Sequence, residues 1–161
     1  GIKLDREAAV EHALSLEEPI YQPYINGGEF SADAWLTKDS QCKGVILRWR
    51  DIVINGESQV TTTFRNALVE DKVASMTEIL ELQGPVVIQG FIDGDNVYII
   101  ECNSRFGGAS TTSIAAGLDS LFWSLINNLD DSIDKHSFIR ISGEVQQLRI
   151  SNDKYIFSKN F

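Results

Sequence analysis

Glu101, Asn103 and Arg105 stand two apart in the run Glu-Cys-Asn-Ser-Arg, and Gly107-Gly108 follows directly. On a strand, side chains two apart share a face, so a carboxylate, an amide and a guanidinium would project together from one strand end. Carboxylate and amide oxygens are hard ligands of the kind Mg²⁺ takes beside substrate phosphates. A planar guanidinium can grip a phosphate or an acyl phosphate with two parallel hydrogen bonds. A glycine-rich turn into a helix offers backbone N–H groups to an anion, and Ser110, Thr111, Thr112 and Ser113 are candidates to cap that helix. The competing interpretation is an ordinary half-exposed strand whose outer face carries polar residues. Against it, this triplet closes an otherwise apolar strand and runs into two glycines.

A hairpin must position these groups. Apolar runs at residues 86–92 and 97–102 flank Asp93-Gly94-Asp95-Asn96, a turn composition. Gln89 is the one uncharged long polar side chain of the first run. A three-residue loop, 94–96, places Gln89 directly across from Glu101, with Cβ atoms roughly 4.5–5.5 Å apart. A loop of two or four residues puts them on opposite faces. Cys102 alternates with Glu101 and Asn103, so it is expected to face the packed side as a buried thiol.

The remaining elements follow from periodicity. Asp5 caps a helix reaching about Ser15, with Ala8, Ala9, Ala13, Leu14 and Leu16 as its apolar side. Residues 19–28 contain Pro19, Pro23 and Asn26-Gly27-Gly28, so they read as a linker and a turn. Strands are expected at 29–36, 44–50 and 60–64, joined by turns at 38–41 and Asn55-Gly56, as a meander. Phe30, Ala32, Ala34 and Leu36 take one face of the first, and Glu29, Ser31, Asp33 and Trp35 the other. Arg48, Arg50 and Arg65 are candidates to line an anionic site, or else are solvated. A packing helix follows from about Asn66 to Gln83, with Val69, Val73, Met76 and Leu80 as its stripe and Gly84-Pro85 as its stop. After the hairpin and a short helix, Asp119 caps a helix whose stripe Leu121, Phe122, Leu125, Ile126 and Leu129 is read as core. Asp130, Asp131 and Asp134 form a solvated acidic loop. Strands are expected near 138–141, 145–150 and 155–157. His12 and His136 are given no role.

The chain has 161 residues, 43% of them hydrophobic, and a net charge of −9. That is enough for one domain, residues 1–161, with its own core. The acidic balance argues against nucleic acid held on a basic surface. No apolar run reaches about 18 residues, so no membrane span is indicated. Two distant cysteines, without metal-ligand spacing, make a reducing cytoplasm the default. Antiparallel strands with interspersed helices give an α+β class, with helices packed on one face of the sheet.

The run Gln89 … Glu101-Cys102-Asn103-Ser104-Arg105 … Gly107-Gly108 … Ala116-Gly117 resembles the ATP-grasp superfamily, and within it the large subunit of carbamoyl phosphate synthase. The resemblance covers residues 1–129, as the C-terminal half of an ATP-grasp unit. It leaves residues 130–161 unplaced, and it implies that the chain is part of a larger protein. It also implies ATP and Mg²⁺ (or Mn²⁺) as cofactors, with Gln89, Glu101 and Asn103 as metal ligands and Arg105 on the transferred phosphate. The linker is then the adenine hinge, with Gln22, Tyr24 and Ile25 at the base and Glu29 on the ribose hydroxyls. The implied protein is a carboxylate–amine or ammonia ligase working through an acyl phosphate, with a small carboxylate or bicarbonate-type substrate. The upstream glycine-rich loop and its lysine are not in the sequence, so the isolated chain is expected to be inactive. Gln89 stands where the family often has an acid. The alternatives are a catalytically silent nucleotide-binding or regulatory module and a purely structural α+β domain.

Overall fold

A computed structural model describes residues 5–129 and 133–150. The strand expected near residues 155–157, and Asp130 and Asp131, lie outside the described residues. Helix α1 (Arg6–Ala13) opens on the Asp5 carboxylate, which accepts from the Ala8 N–H at 2.8 Å. It buries none of its residues. Residues 19–26 carry no regular structure, as their prolines require.

The body is one antiparallel sheet of six strands: β1 (Gly28–Leu36), β2 (Cys42–Ile54), β3 (Glu57–Phe64), β4 (Gly84–Asp93), β5 (Asn96–Asn103) and β6 (Gln146–Leu148). Their order across the sheet is β5-β4-β1-β2-β3-β6. The α+β class therefore stands, and the strand expected near 145–150 is present as the sixth, beside β3.

The helices do not share one face. Phe30, Ala32, Ala34 and Leu36 of β1 pack with Val45, Leu47, Val86 and Ile88 against Val69 and Val73 of α2 (Ala67–Ile79). On the other face, Trp35 and Ile46 pack against Ala116, Leu118, Trp123 and Ile126, contributed by α3 (Ser110–Ala115), α4 (Ser120–Asn128) and the turn between them. The single-face expectation fails because both alternating sets of the central strand β1 are buried. Alternation locates the two faces but does not say that both are covered.

Other differences have local causes. Helix α2 ends at Ile79, earlier than expected, because Glu81 turns left-handed at φ 52° and the Leu82 N–H closes on the Thr77 carbonyl at 3.1 Å. In α4 the buried side chains are Ser120, Trp123 and Ile126, while Leu121, Phe122, Leu125 and Leu129 are exposed. The expected stripe was drawn one step around the helix from the side that Trp123 anchors against Trp35, with ring centroids 5.7 Å apart. Cys102 is exposed rather than buried, because β5 is an edge strand with little packed on either side. No described helix is long and apolar enough to cross a membrane.

Candidate functional site

The second sheet face is covered by α3 and α4 at one end only. At the other end it is open and floors a cleft of about 240 Å³. Ser31, Arg48, Arg50, Val87, Gln89 and Asn103 rise from the floor, and all belong to that face by register. Arg105 and the Gly107-Gly108 turn form one wall. Glu57 and Ser58 at the β2–β3 turn, with Arg149 just past β6, form the other.

The hairpin reaches its register by an unforeseen route. Asp93 pairs with Asn96, so the loop is the two residues Gly94-Asp95. In an unbroken ladder that loop would oppose Gln89 to Ile100. A bulge intervenes: Gly90 pairs with Ile99 and Gln89 pairs with Glu101, which leaves Ile100 as the extra residue. The expected pairing of Gln89 with Glu101 is present, and the bulge, not a longer loop, produces it. Gly90 is what fits there, since a Cβ would collide with the Tyr98 carbonyl oxygen and lie 2.9 Å from the Phe30 ring.

Glu101 and Asn103 then share the cleft face of the edge strand. The Asn103 amide donates through Nδ2 to Glu101 Oε1 at 2.7 Å, which leaves Asn103 Oδ1 as a free acceptor on the same side. Gln89 adds a second amide from the neighbouring strand. One carboxylate and two amide oxygens form a donor set that suits a hard divalent cation, with most of its coordination left to water and phosphate. Among the described residues no group of three His, Cys, Asp or Glu side chains offers a rival site. Arg105 donates to the Phe106 carbonyl at 3.1 Å and lines the cleft beside Asn103.

Glu29 lies at the far end of the same face, 2.8 Å from Arg50 Nε. That Nε–H makes no aligned hydrogen bond, so the pair is held by charge. The three other hinge residues stand apart from the cleft lining. Gln22 borders a shallow hollow against α1, Tyr24 is exposed and Ile25 is half-buried. The structure thus gathers Gln89, Glu101, Asn103 and Arg105 and does not gather Gln22, Tyr24 and Ile25 with them.

Several residues at or behind the cleft were not assigned a part in it from the sequence. Asp33 was assigned only a strand face, yet it is buried beneath Arg48, with Arg48 Nε 2.5 Å from its Oδ2. Ser110 and Ser113 were read as helix caps, but both hydroxyls donate to Asp33 instead. Arg149 was hidden in the unplaced tail. Its Nη1 meets Glu57 Oε2 at 2.5 Å and its Nη2 donates to the Gly108 carbonyl at 2.9 Å. Arg65 is exposed and does not border the cleft.

Solved structures share this fold. A biotin carboxylase domain of a single-chain bacterial carboxylase superposes with a TM-score of 0.63 at 12% identity, over 78% of this chain and 33% of that one. Rhizobium etli pyruvate carboxylase gives 0.64 at 17% identity, over 90% of this chain and 17% of that one. The biotin carboxylase domain of Hydrogenobacter thermophilus 2-oxoglutarate carboxylase, solved with MgADP, ADP and bicarbonate, gives 0.60 at 17% identity, over 76% and 30%. The chain therefore spans a third or less of each of these proteins. No curated protein matches it in sequence. The sequence pattern of a family described as "ATP-grasp in the biosynthetic pathway with Ter operon" matches residues 15–150, nearly the whole described body and all of the cleft, and the chain belongs to that ATP-grasp family.

Proposed function

We propose that the chain is the ATP- and Mg²⁺-binding part of an ATP-dependent ligase that activates a small carboxylate or bicarbonate as an acyl phosphate. The observation that carries this is the bulge-set register. It puts Gln89, Glu101 and Asn103 on one sheet face, and Gln89 and Asn103 line the cleft together with Arg105. Glu101 and the two amides would hold the cation, which would supply positive charge to offset that of the phosphates. Arg105 would hold the transferred phosphoryl group and the acyl phosphate oxygens, so that positioning and electrostatics carry the rate. An amine or ammonia then displaces phosphate, as in carbamoyl phosphate synthase-like ligases. Gln22, Tyr24 and Ile25 would border the adenine. Glu29 would leave Arg50 for the ribose hydroxyls, which its unaligned ion pair permits. The residues are read as one domain of a larger cytoplasmic protein, whose N-terminal remainder closes over the phosphates, so the isolated chain binds nucleotide weakly and turns over nothing.

Two similar structures were solved with ligands that support this reading, one with MgADP and bicarbonate and one, of Campylobacter jejuni biotin carboxylase, as a beta-gamma-ATP complex. A second reading, a nucleotide-binding module without turnover, is favoured by one feature: the donor set holds a single carboxylate. Calorimetric titration of the intact protein with ATP, with and without Mg²⁺, tests the shared part. Tight binding that ignores Mg²⁺, or no binding, would overturn it. Release of ADP with a candidate acid and amine then separates ligase from silent module.

A further inference from the structure

Asp33 is a charged group that neither the metal set nor the nucleotide hinge uses. It is only 4% exposed, and Arg48, which lines the cleft, is only 2% exposed. A buried charge pair is costly unless its remaining polar atoms are satisfied. Here they are, in a specific way. Asp33 Oδ2 takes Arg48 Nε at 2.5 Å and the Ser113 hydroxyl at 2.6 Å. Asp33 Oδ1 takes the Ser110 hydroxyl, and the same Ser110 oxygen accepts the Gly107 N–H at 2.8 Å. One carboxylate therefore ties together the guanidinium on the cleft floor and the glycine turn on the cleft wall.

We propose that Asp33 is a positioning residue that holds Arg48 and the Gly107-Gly108 turn in the geometry needed to bind an oxyanion in the cleft. Only one guanidinium N–H of Arg48 is engaged by described residues. Arg48 lines the same cleft as Arg105, with the rest of its planar donor fork left for an anion. Without the carboxylate, Arg48 is a buried cation free to turn away and the turn loses its anchor. The oxyanion could be the phosphoryl group or the carboxylate of the acid, since both present the same paired oxygens. This goes beyond the proposed ligase reading, because it requires anion binding in the cleft but not nucleotide binding.

The test is calorimetric titration of the intact protein with inorganic phosphate and, separately, with bicarbonate. It compares wild type with Asp33→Asn, Ser113→Ala and the double variant Asp33→Asn/Arg48→Gln. Asp33→Asn should weaken at least one anion by about tenfold or more, the worth of one charge-assisted hydrogen bond. Ser113→Ala leaves the charge pair in place and should weaken the same anion by a smaller factor. The double variant leaves no unpaired buried charge, so it should melt close to wild type and still bind the anion poorly. Loss for phosphate alone identifies a phosphoryl site, and loss for bicarbonate alone identifies a carboxylate site. Wild-type affinity in the variants that fold would overturn the proposal and leave Asp33 a structural group. Failure of the wild type to bind either anion would overturn it too. Anion binding without ATP binding would sink the ligase reading while sparing this one.

Discussion

Glu101→Ala separates a metal ligand from a structural residue. Glu101 is exposed on the edge strand, its backbone pairing with Gln89 is untouched by truncation, and its side chain makes one hydrogen bond, to Asn103. An exposed contact of that kind contributes about 0–1 kcal/mol. In a domain of this size 1 kcal/mol moves the melting temperature by roughly 2–4 °C, so the variant should melt within that range of wild type. Trp123→Ala is the contrast. Its ring is 2% exposed and packs edge-on to Trp35, so truncation should cost about 3–5 kcal/mol. Activity should move the opposite way. Glu101 is the one carboxylate of the proposed donor set, so its loss should weaken the hold on the cation that would stabilise charge on the transferred phosphoryl group, and turnover should fall by about 10²-fold or more. The assay pairs a thermal melt with Mg²⁺-dependent ATP turnover of the intact protein. Near-normal turnover in Glu101→Ala would place the metal elsewhere and return the triplet to a solvated strand end.

Asn103→Ala should also lower turnover with little change in melting, because the amide holds Glu101 and, in the proposed site, would supply an oxygen to the cation. Arg105→Lys keeps the charge but loses the planar fork, so kcat should fall more than nucleotide affinity, as separate kinetic and binding titrations would show. Gly90→Ala should destabilise by about 1–3 kcal/mol or more in denaturant unfolding, because the new Cβ meets the Tyr98 carbonyl at the bulge. Burial, with a smaller contribution from Glu78, raises the Cys42 thiol to about 11, from 9.0. Between those pH values the unfolded chain releases a proton that the folded chain keeps, so stability should fall as pH rises from about 9. Denaturation of Cys42→Ser alongside wild type across that window isolates the effect. At pH 8 alkylation should reach Cys102, which is exposed, before Cys42.

The sequence alone determined what depends on neighbours along the chain. The order of helices and strands, the Asp5 and Asn66 caps, the turn at 93–96 and the Glu101/Asn103/Arg105 spacing are all local matters of dihedral preference and alternation. It also determined the pairing of Gln89 with Glu101, though by the wrong device: composition marks a turn, but a bulge arises from how two strands twist together. Only the tertiary structure decided which faces are covered. That hid the second helix layer, the outward side of α4 and the exposure of Cys102. It also decided every contact between residues far apart in sequence. Asp33 meets Ser110 and Ser113 across more than seventy residues, and Arg149 meets Glu57 across ninety-two. A buried acid carries no local signal when its partners sit on two other elements. The cleft edge proposed to hold the metal was therefore spelled out in one short run of residues. Its arginine walls and its buried anchor exist only once β1, β2, α3 and β6 come together.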